Sequence, residues 1–187
     1  SARYPNCYSW LSFKTKLFDC QCITSAHKNN GNEKIYQHDE FGVTRMIKNE
    51  YQLIVANVFN FSGNEILDSV MINGYGANSN LEIFISDVDS NGHPISDENS
   101  WQMLYKGNIP YDGYFTVSLD KKIKLLNKKY AIIIKISKGS NYDEGGIGCQ
   151  ALKNDPELNL GNTINTNKSF ILQDNTFYDI QYDKSFM

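Results

Sequence analysis

Apolar and polar residues alternate along most of this chain. Val55-Ala56-Asn57-Val58-Phe59-Asn60-Phe61 keeps a period of two, and Gly63-Asn64 after it supplies a turn. Ile66 to Ile72 reads as the next strand, closed by the loop Asn73-Gly74-Tyr75-Gly76. Leu81-Glu82-Ile83-Phe84-Ile85-Ser86, Trp101 to Tyr105, and Tyr114-Phe115-Thr116-Val117-Ser118-Leu119 behind the turn Asp112-Gly113 continue the series. Tyr130 to Ser137 is apolar at successive positions, which predicts a central strand covered on both faces. Ser169 to Leu172 and Phe177 to Ile180 predict a hairpin around Gln173-Asp174-Asn175-Thr176. Gly139 to Gly146 reads as a long loop after the central strand, either a ligand loop or a plain connection.

Helical periodicity is nearly absent. Leu11 to Ile23 is the one candidate, and its β-branched and aromatic residues argue against it. Many short strands at regular spacing predict an all-β fold, an antiparallel β-sandwich or jelly roll. The first 34 residues differ in texture, and Lys28-Asn29-Asn30-Gly31-Asn32 reads as a linker. Residues 1–34 are therefore expected to be a linker or the remnant of a preceding domain, and residues 35–187 the sandwich.

Composition narrows the classes of function. A hydrophobic fraction of 41% with 21% charged residues belongs to a globular protein with a packed core. A net charge of -3 with acids and bases intermixed gives nucleic acid no basic stripe to follow. The run Tyr130-Ala131-Ile132-Ile133-Ile134 is far too short to span a bilayer. No leader follows Ser1, so the chain reads as a mature or excised piece. Cys7, Cys20, Cys22 and Cys149 contain no zinc-type spacing. Cys20 and Cys22 would point the same way on a strand, which disfavours a bond between them. Free thiols are expected, with a bridge from Cys7 to one of that pair as the alternative.

The sharpest local motif is Asp87-Val88-Asp89-Ser90-Asn91-Gly92 followed by Glu98. Its spacing matches a calcium loop, in which alternate carboxylates aim at one centre, glycine permits the sharp turn and a final glutamate closes the site. Asp87, Asp89, Asn91 and Glu98 are thus the candidate ligands of a structural calcium. The flanks are strands rather than helices and Pro94 occupies a position usually hydrophobic, so a metal-free acidic turn is the competing reading. Gln37, Asp39 and Glu40 form a second oxygen-rich set, more simply read as a solvated loop. Catalysis finds little support. His27 and His38 follow Cys7 too closely for a papain-type pair, no histidine follows Cys149, and no nucleophile elbow or zinc-protease motif occurs.

Aromatic residues are 13% of the chain, many beside Asn and Asp. A ring stacks on the apolar face of a sugar while amides and carboxylates take its hydroxyls. Trp101, Tyr111, Asp112, Tyr114, Tyr75 and Tyr142, all in or beside expected loops, are the candidate ligand-binding residues. For each ring taken singly, packing at the rim of the core is the simpler role.

Several segments together resemble one family. Ile35-Tyr36-Gln37-His38-Asp39-Glu40-Phe41-Gly42 resembles the Tyr-Gln-Tyr-Asp-x-x-Gly segment that opens the lectin-like domain of clostridial cell-surface papain-type cysteine proteases. Ala56-Asn57-Val58-Phe59 is similar to that domain's Ala-Asn-Val-Phe strand, and Glu82-Ile83-Phe84-Ile85 to its Glu-Val-Tyr-Ile strand. Tyr111-Asp112-Gly113-Tyr114-Phe115-Thr116-Val117-Ser118-Leu119 resembles its Tyr-x-Gly-Tyr-x-Thr-Val-x-Leu strand, Ala131 to Ile136 follows in place, and Ser169-Phe170-Ile171 with Phe177-Tyr178-Asp179-Ile180 resembles its closing hairpin. The resemblance implies a jelly-roll sandwich, a secreted protein at the bacterial cell surface, a bound calcium and a cysteine protease domain ahead of it. Tyr8 to Phe13 would then be the last strand of that protease. The expected function is a non-catalytic, monomeric accessory domain that binds cell-wall glycan or positions the neighbouring protease. The alternative is a structural spacer between protease and wall-anchoring domains. A fold alone does not establish sugar binding.

Overall fold

A computed structural model describes residues 33–38, 43, 45–139, 144–149 and 167–180. Cys7, Cys20, Cys22, His27 and the segment Tyr8 to Phe13 lie outside them. Ten strands are described: β1 (Arg45–Asn49), β2 (Gln52–Asn60), β3 (Glu65–Tyr75), β4 (Asn80–Ser86), β5 (Gln102–Asn108), β6 (Gly113–Leu125), β7 (Lys129–Ser137), β8 (Gly145–Cys149), β9 (Ser169–Gln173) and β10 (Thr176–Asp179). A single turn of 3-10 helix, Glu98–Ser100, is the only helical element among the described residues.

The strands form two antiparallel sheets, one in the order β1-β8-β3-β6 and one in the order β10-β9-β2-β7-β4-β5. The chain crosses from one sheet to the other at every connection except β4–β5 and β9–β10, the winding of a jelly-roll sandwich. Alternation dictates the packing. On β6, Phe115, Val117 and Leu119 point inward while Tyr114, Thr116 and Ser118 face out. They meet Leu81, Ile83 and Ile85 of β4, Ile72 of β3 and Ile132 and Ile136 of β7 in the core between the sheets.

A second apolar cluster lies on the other face of the six-stranded sheet. It is built from Ile54, Ala56 and Val58 of β2, Ala131 and Ile133 of β7, Phe170 of β9, Phe177 of β10 and Trp101. This is why β7 reads as apolar at successive positions, and why β2, read as alternating, is buried at successive positions from Leu53 to Ala56: both faces of these strands are covered. The cover on that outer face is the connection from Asp87 to Trp101, termed the strap below.

Four elements differ from the sequence reading, β1 among them, since no strand was expected over Arg45–Asn49. β8 begins inside the expected loop, at Gly145, and runs on to Cys149, where no element was expected, because Gly145, Gly146 and Gly148 leave little but Ile147 to signal burial. β3 runs on through Asn73-Gly74-Tyr75, where Gly74 is needed: a Cβ there would come within 2.8 Å of the Phe115 ring. β6 extends past Leu119 to Leu125, paired with β3 across a bulge between Leu67 and Ser69.

The expected closing hairpin is present, and its turn residues Asp174 and Asn175 have φ of 47° and 59°. Two successive left-handed residues make a type I′ turn, which matches the strand twist. Asn175→Gly is expected to leave the melting temperature equal or higher. Asn175→Val should destabilise by about 1–2 kcal/mol, because a β-branched residue resists that conformation; thermal unfolding of the two variants checks this.

Candidate functional site

The acidic motif lies in the strap. Val88 and Pro94 form an isolated antiparallel bridge, and between them the loop closes on Asp89. One Asp89 carboxylate oxygen accepts from the backbone amides of Asn91 at 2.9 Å and His93 at 2.8 Å, and the Gly92 amide donates to the Asp89 carbonyl at 3.0 Å. Gly92, at φ 82°, makes the turn possible. The His93 amide holds the Asp89 carboxyl below the ordinary aspartate range, against the opposing effect of burial and with help from the Asn91 amide.

The other two acids point elsewhere. Asp87 pairs with the Lys128 ammonium at 2.6 Å, and Glu98 with that of Lys135 at 2.8 Å. The bond from Asp87 raises the Lys128 pKa above its ordinary value, against opposition from burial. Asn91 is exposed at the loop tip. Asp87, Asp89, Asn91 and Glu98, expected to converge on one calcium, are therefore spread along the strap. No group of three or more His, Cys, Asp or Glu suited to a metal occurs among the described residues. Of the second oxygen-rich set, Gln37 is exposed, and Asp39 and Glu40 lie outside the described residues.

Trp101 corrects an expectation. Its ring is 8% exposed, tilted against Phe84 and Phe177 at centroid distances of 5.6 and 6.1 Å, and its indole N–H donates to the Ile95 carbonyl at 2.7 Å. It anchors the end of the strap, with its ring packed into the second apolar cluster. The physical reason is its place at the mouth of β5, where it fills the second apolar cluster; the sequence marks the position as a strand start but not which face it enters.

Four other candidates do gather, at the far end of β5 and on the other sheet. Asp112 accepts from the amides of Gly76 at 2.9 Å and Ala77 at 3.1 Å, tying the β5–β6 connection to the turn after β3. Tyr111 is 49% exposed, edge-on to Phe115 at 5.8 Å. Tyr114 is 42% exposed, and its hydroxyl oxygen accepts from the Val43 amide at 3.0 Å. Tyr75, beside Gly146 of β8, lies under the Lys48 ammonium, 3.9 Å from the ring centroid. Lys48 also pairs with Glu144 at 2.8 Å, and that bond, opposed by burial, raises its pKa above the ordinary lysine value. Tyr142 lies outside the described residues.

The same outer face carries residues the sequence reading passed over. Met46–Gly148 and Asn73–Tyr114 are cross-strand partners, with Lys48–Gly146 and Met71–Thr116 in the neighbouring rows. The signal for them was present but weak: glycine alternates with Ile147 and Cys149 along β8. A strand that is bare on one face leaves its neighbours' rings and amides exposed. The arrangement offers aromatic surface, an amide, hydroxyls and one cation, which is binding chemistry.

The described histidines and the described cysteine sit against aromatic rings and the core. His38 stacks on Phe59 at 4.4 Å and meets the Val58 carbonyl at 2.8 Å, His93 leans on Phe170 at 5.1 Å, and Cys149 packs against the core.

Comparison with known proteins agrees with this division. A family model described as a lectin-like domain matches residues 35–186. A structure of the clostridial cysteine protease Cwp84 after propeptide cleavage is similar with a TM-score of 0.76 at 28% identity, over 87% of this chain and 39% of that one. A structure of the cysteine protease and lectin-like domains of Cwp84, a surface-layer-associated protein of Clostridium difficile, is similar with a TM-score of 0.74 at 30% identity, over 84% of this chain and 34% of that one. None of the curated proteins matches. The chain thus spans about two fifths or less of those Cwp84 chains, the second of which is described as holding cysteine protease and lectin-like domains. With its two antiparallel sheets and the match over residues 35–186, this chain belongs to the lectin-like domain family and is a non-catalytic accessory domain.

Proposed function

We propose that this domain serves a secreted bacterial surface protease of the Cwp84 kind, binding cell-wall glycan on the outer face of its four-stranded sheet, around Tyr75, Tyr111, Asp112 and Tyr114. One observation carries the reading: the two outer faces are treated differently. The face of the six-stranded sheet is apolar and strapped, whereas the face of the four-stranded sheet leaves Tyr114 and Met71 exposed at 42% and 61% beside Asn73, Thr116 and Ser118, with Tyr111, 49% exposed, in the connection at its end. Rings set among hydroxyls and amides suit a sugar better than a protein core. A second reading, a structural spacer, is favoured by the hydrogen bonds that already engage Asp112 and Tyr114 with backbone amides.

Calorimetric titration with wall polysaccharide separates the two. Saturable binding by the intact chain, weakened about tenfold or more by Tyr111→Ala, a loss on the scale of one ring contact in a desolvated pocket, is the expected result. Absence of binding to every wall polymer tested sinks the glycan reading and leaves the spacer.

A further inference from the structure

We propose that the strap is a metal-independent clasp, in which the ammonium groups of Lys128 and Lys135 hold the Asp87 and Glu98 carboxylates that the sequence motif would assign to calcium. The first argument is distance. Asp87 is fixed to a lysine just before β7 and Glu98 to one near its end. Those lysines are seven residues apart, roughly 23 Å of extended chain at ~3.3 Å per residue. One calcium gathers its oxygens within roughly 5 Å of each other, since each lies ~2.3–2.6 Å from the ion. Asp87 and Glu98 cannot share an ion while each keeps its lysine.

The second argument is charge. The Lys129 ammonium stands beside Gly92, 3.4 Å from where a Cβ on that glycine would lie. With Lys128 and Lys135 it makes three cations against the strap's inner edge. These offset most of the charge of the strap's four acids and weaken its attraction for a divalent ion approaching the same groups. The third argument is the use of Asp89, one of whose two carboxylate oxygens is taken by the Asn91 and His93 amides of its own loop.

The clasp has a purpose that packing supplies. Beneath it lie Ile133 and Phe170, at 0% exposure, and Trp101 at the strap's end. A strap that lifted would wet this cluster. The Lys135–Glu98 pair is the inner of the two anchors, with Lys135 only 16% exposed at the side chain.

Amide hydrogen exchange of the full chain tests the proposal at the strap itself. The Asn91, Gly92 and His93 amides should exchange at the same rate in chelator and in millimolar calcium. Lys128→Gln combined with Lys135→Gln should speed them roughly fivefold, as expected for two partly exposed ion pairs, with little rescue by calcium. High salt should shrink the difference between the double variant and the parent. Calcium protection of these amides that Asp87→Asn or Glu98→Gln removes would overturn the proposal, as would unchanged exchange in the lysine double variant. A calcium-dependent rise in melting temperature that survives both acid substitutions puts the ion elsewhere and supports the clasp.

Discussion

Trp101→Ala is expected to destabilise the domain by about 3–5 kcal/mol, the range for truncating a large buried aromatic residue. Three losses add. The indole fills the second apolar cluster between Phe84 and Phe177, its N–H is bonded to the Ile95 carbonyl, and its ring closes the strap over β7. Removal leaves a cavity beside Ile133 and Phe177 and an orphaned carbonyl at Ile95. Trp101→Phe should recover part of the packing and none of the hydrogen bond, falling between parent and alanine variant. Denaturant unfolding measures all three forms. The experiment also separates two roles for the ring: a surface tryptophan kept for sugar stacking would lose binding on truncation with little change in stability. A loss below about 1 kcal/mol, the scale of an ordinary surface substitution, would place the ring outside the core.

Why this ring was misplaced in the sequence, while most strands were not, follows from what periodicity encodes. β4 and β6 alternate cleanly, so inward and outward residues separate by parity alone. β9 and β10 flank two residues suited to left-handed turns, and Asp174-Asn175 names the hairpin. β1 is five residues with a single buried position, Ile47, and β8 is three-fifths glycine; neither leaves a pattern to find. Parity also cannot say which sheet a strand joins or what covers its outer face. Trp101 and the acids of the strap depend on that information. Asp87 and Glu98 find their partners 41 and 37 residues away in sequence. No local motif carries such a pairing, so the spacing of the acids points to calcium although the fold brings them to lysines.

The same limit explains the candidate binding face. Tyr75, Tyr111, Asp112 and Tyr114 were selected one at a time, as aromatic or acidic residues near loops. They meet because β3 and β6 pair over most of their length, putting Gly74 opposite Gly113 and so the two connections side by side. The glycines of β8 that bare this face carry no hydropathy signal of their own. Compositional reading thus reached the chemistry of the face and not its geometry.

Asp112 is the residue at which a ligand role and a structural role diverge most. Asp112→Ala is expected to cost about 1.5–3 kcal/mol, since hydrogen bonds from neutral amides to a charged group are the stronger kind. Both bonds end on the turn after β3: the Gly76 and Ala77 amides converge on a single carboxylate oxygen. Gly76 has φ 86°, and a Cβ there would sit 2.8 Å from the Glu144 carbonyl oxygen, so this turn has little freedom to find other partners. Asp112→Asn keeps an acceptor oxygen at the same place and should recover more than half of the loss. Thermal unfolding gives the stability of the three proteins, and glycan titration at a temperature where all are folded gives their affinities. If Asp112 acts by holding the turn, asparagine restores stability and binding together. If its charge contacts the ligand, asparagine restores stability alone, and the carboxylate must then share its oxygens between the turn and a sugar hydroxyl. Equal stability of Asp112→Ala and the parent would remove the turn from the account altogether, leaving the two amides to water.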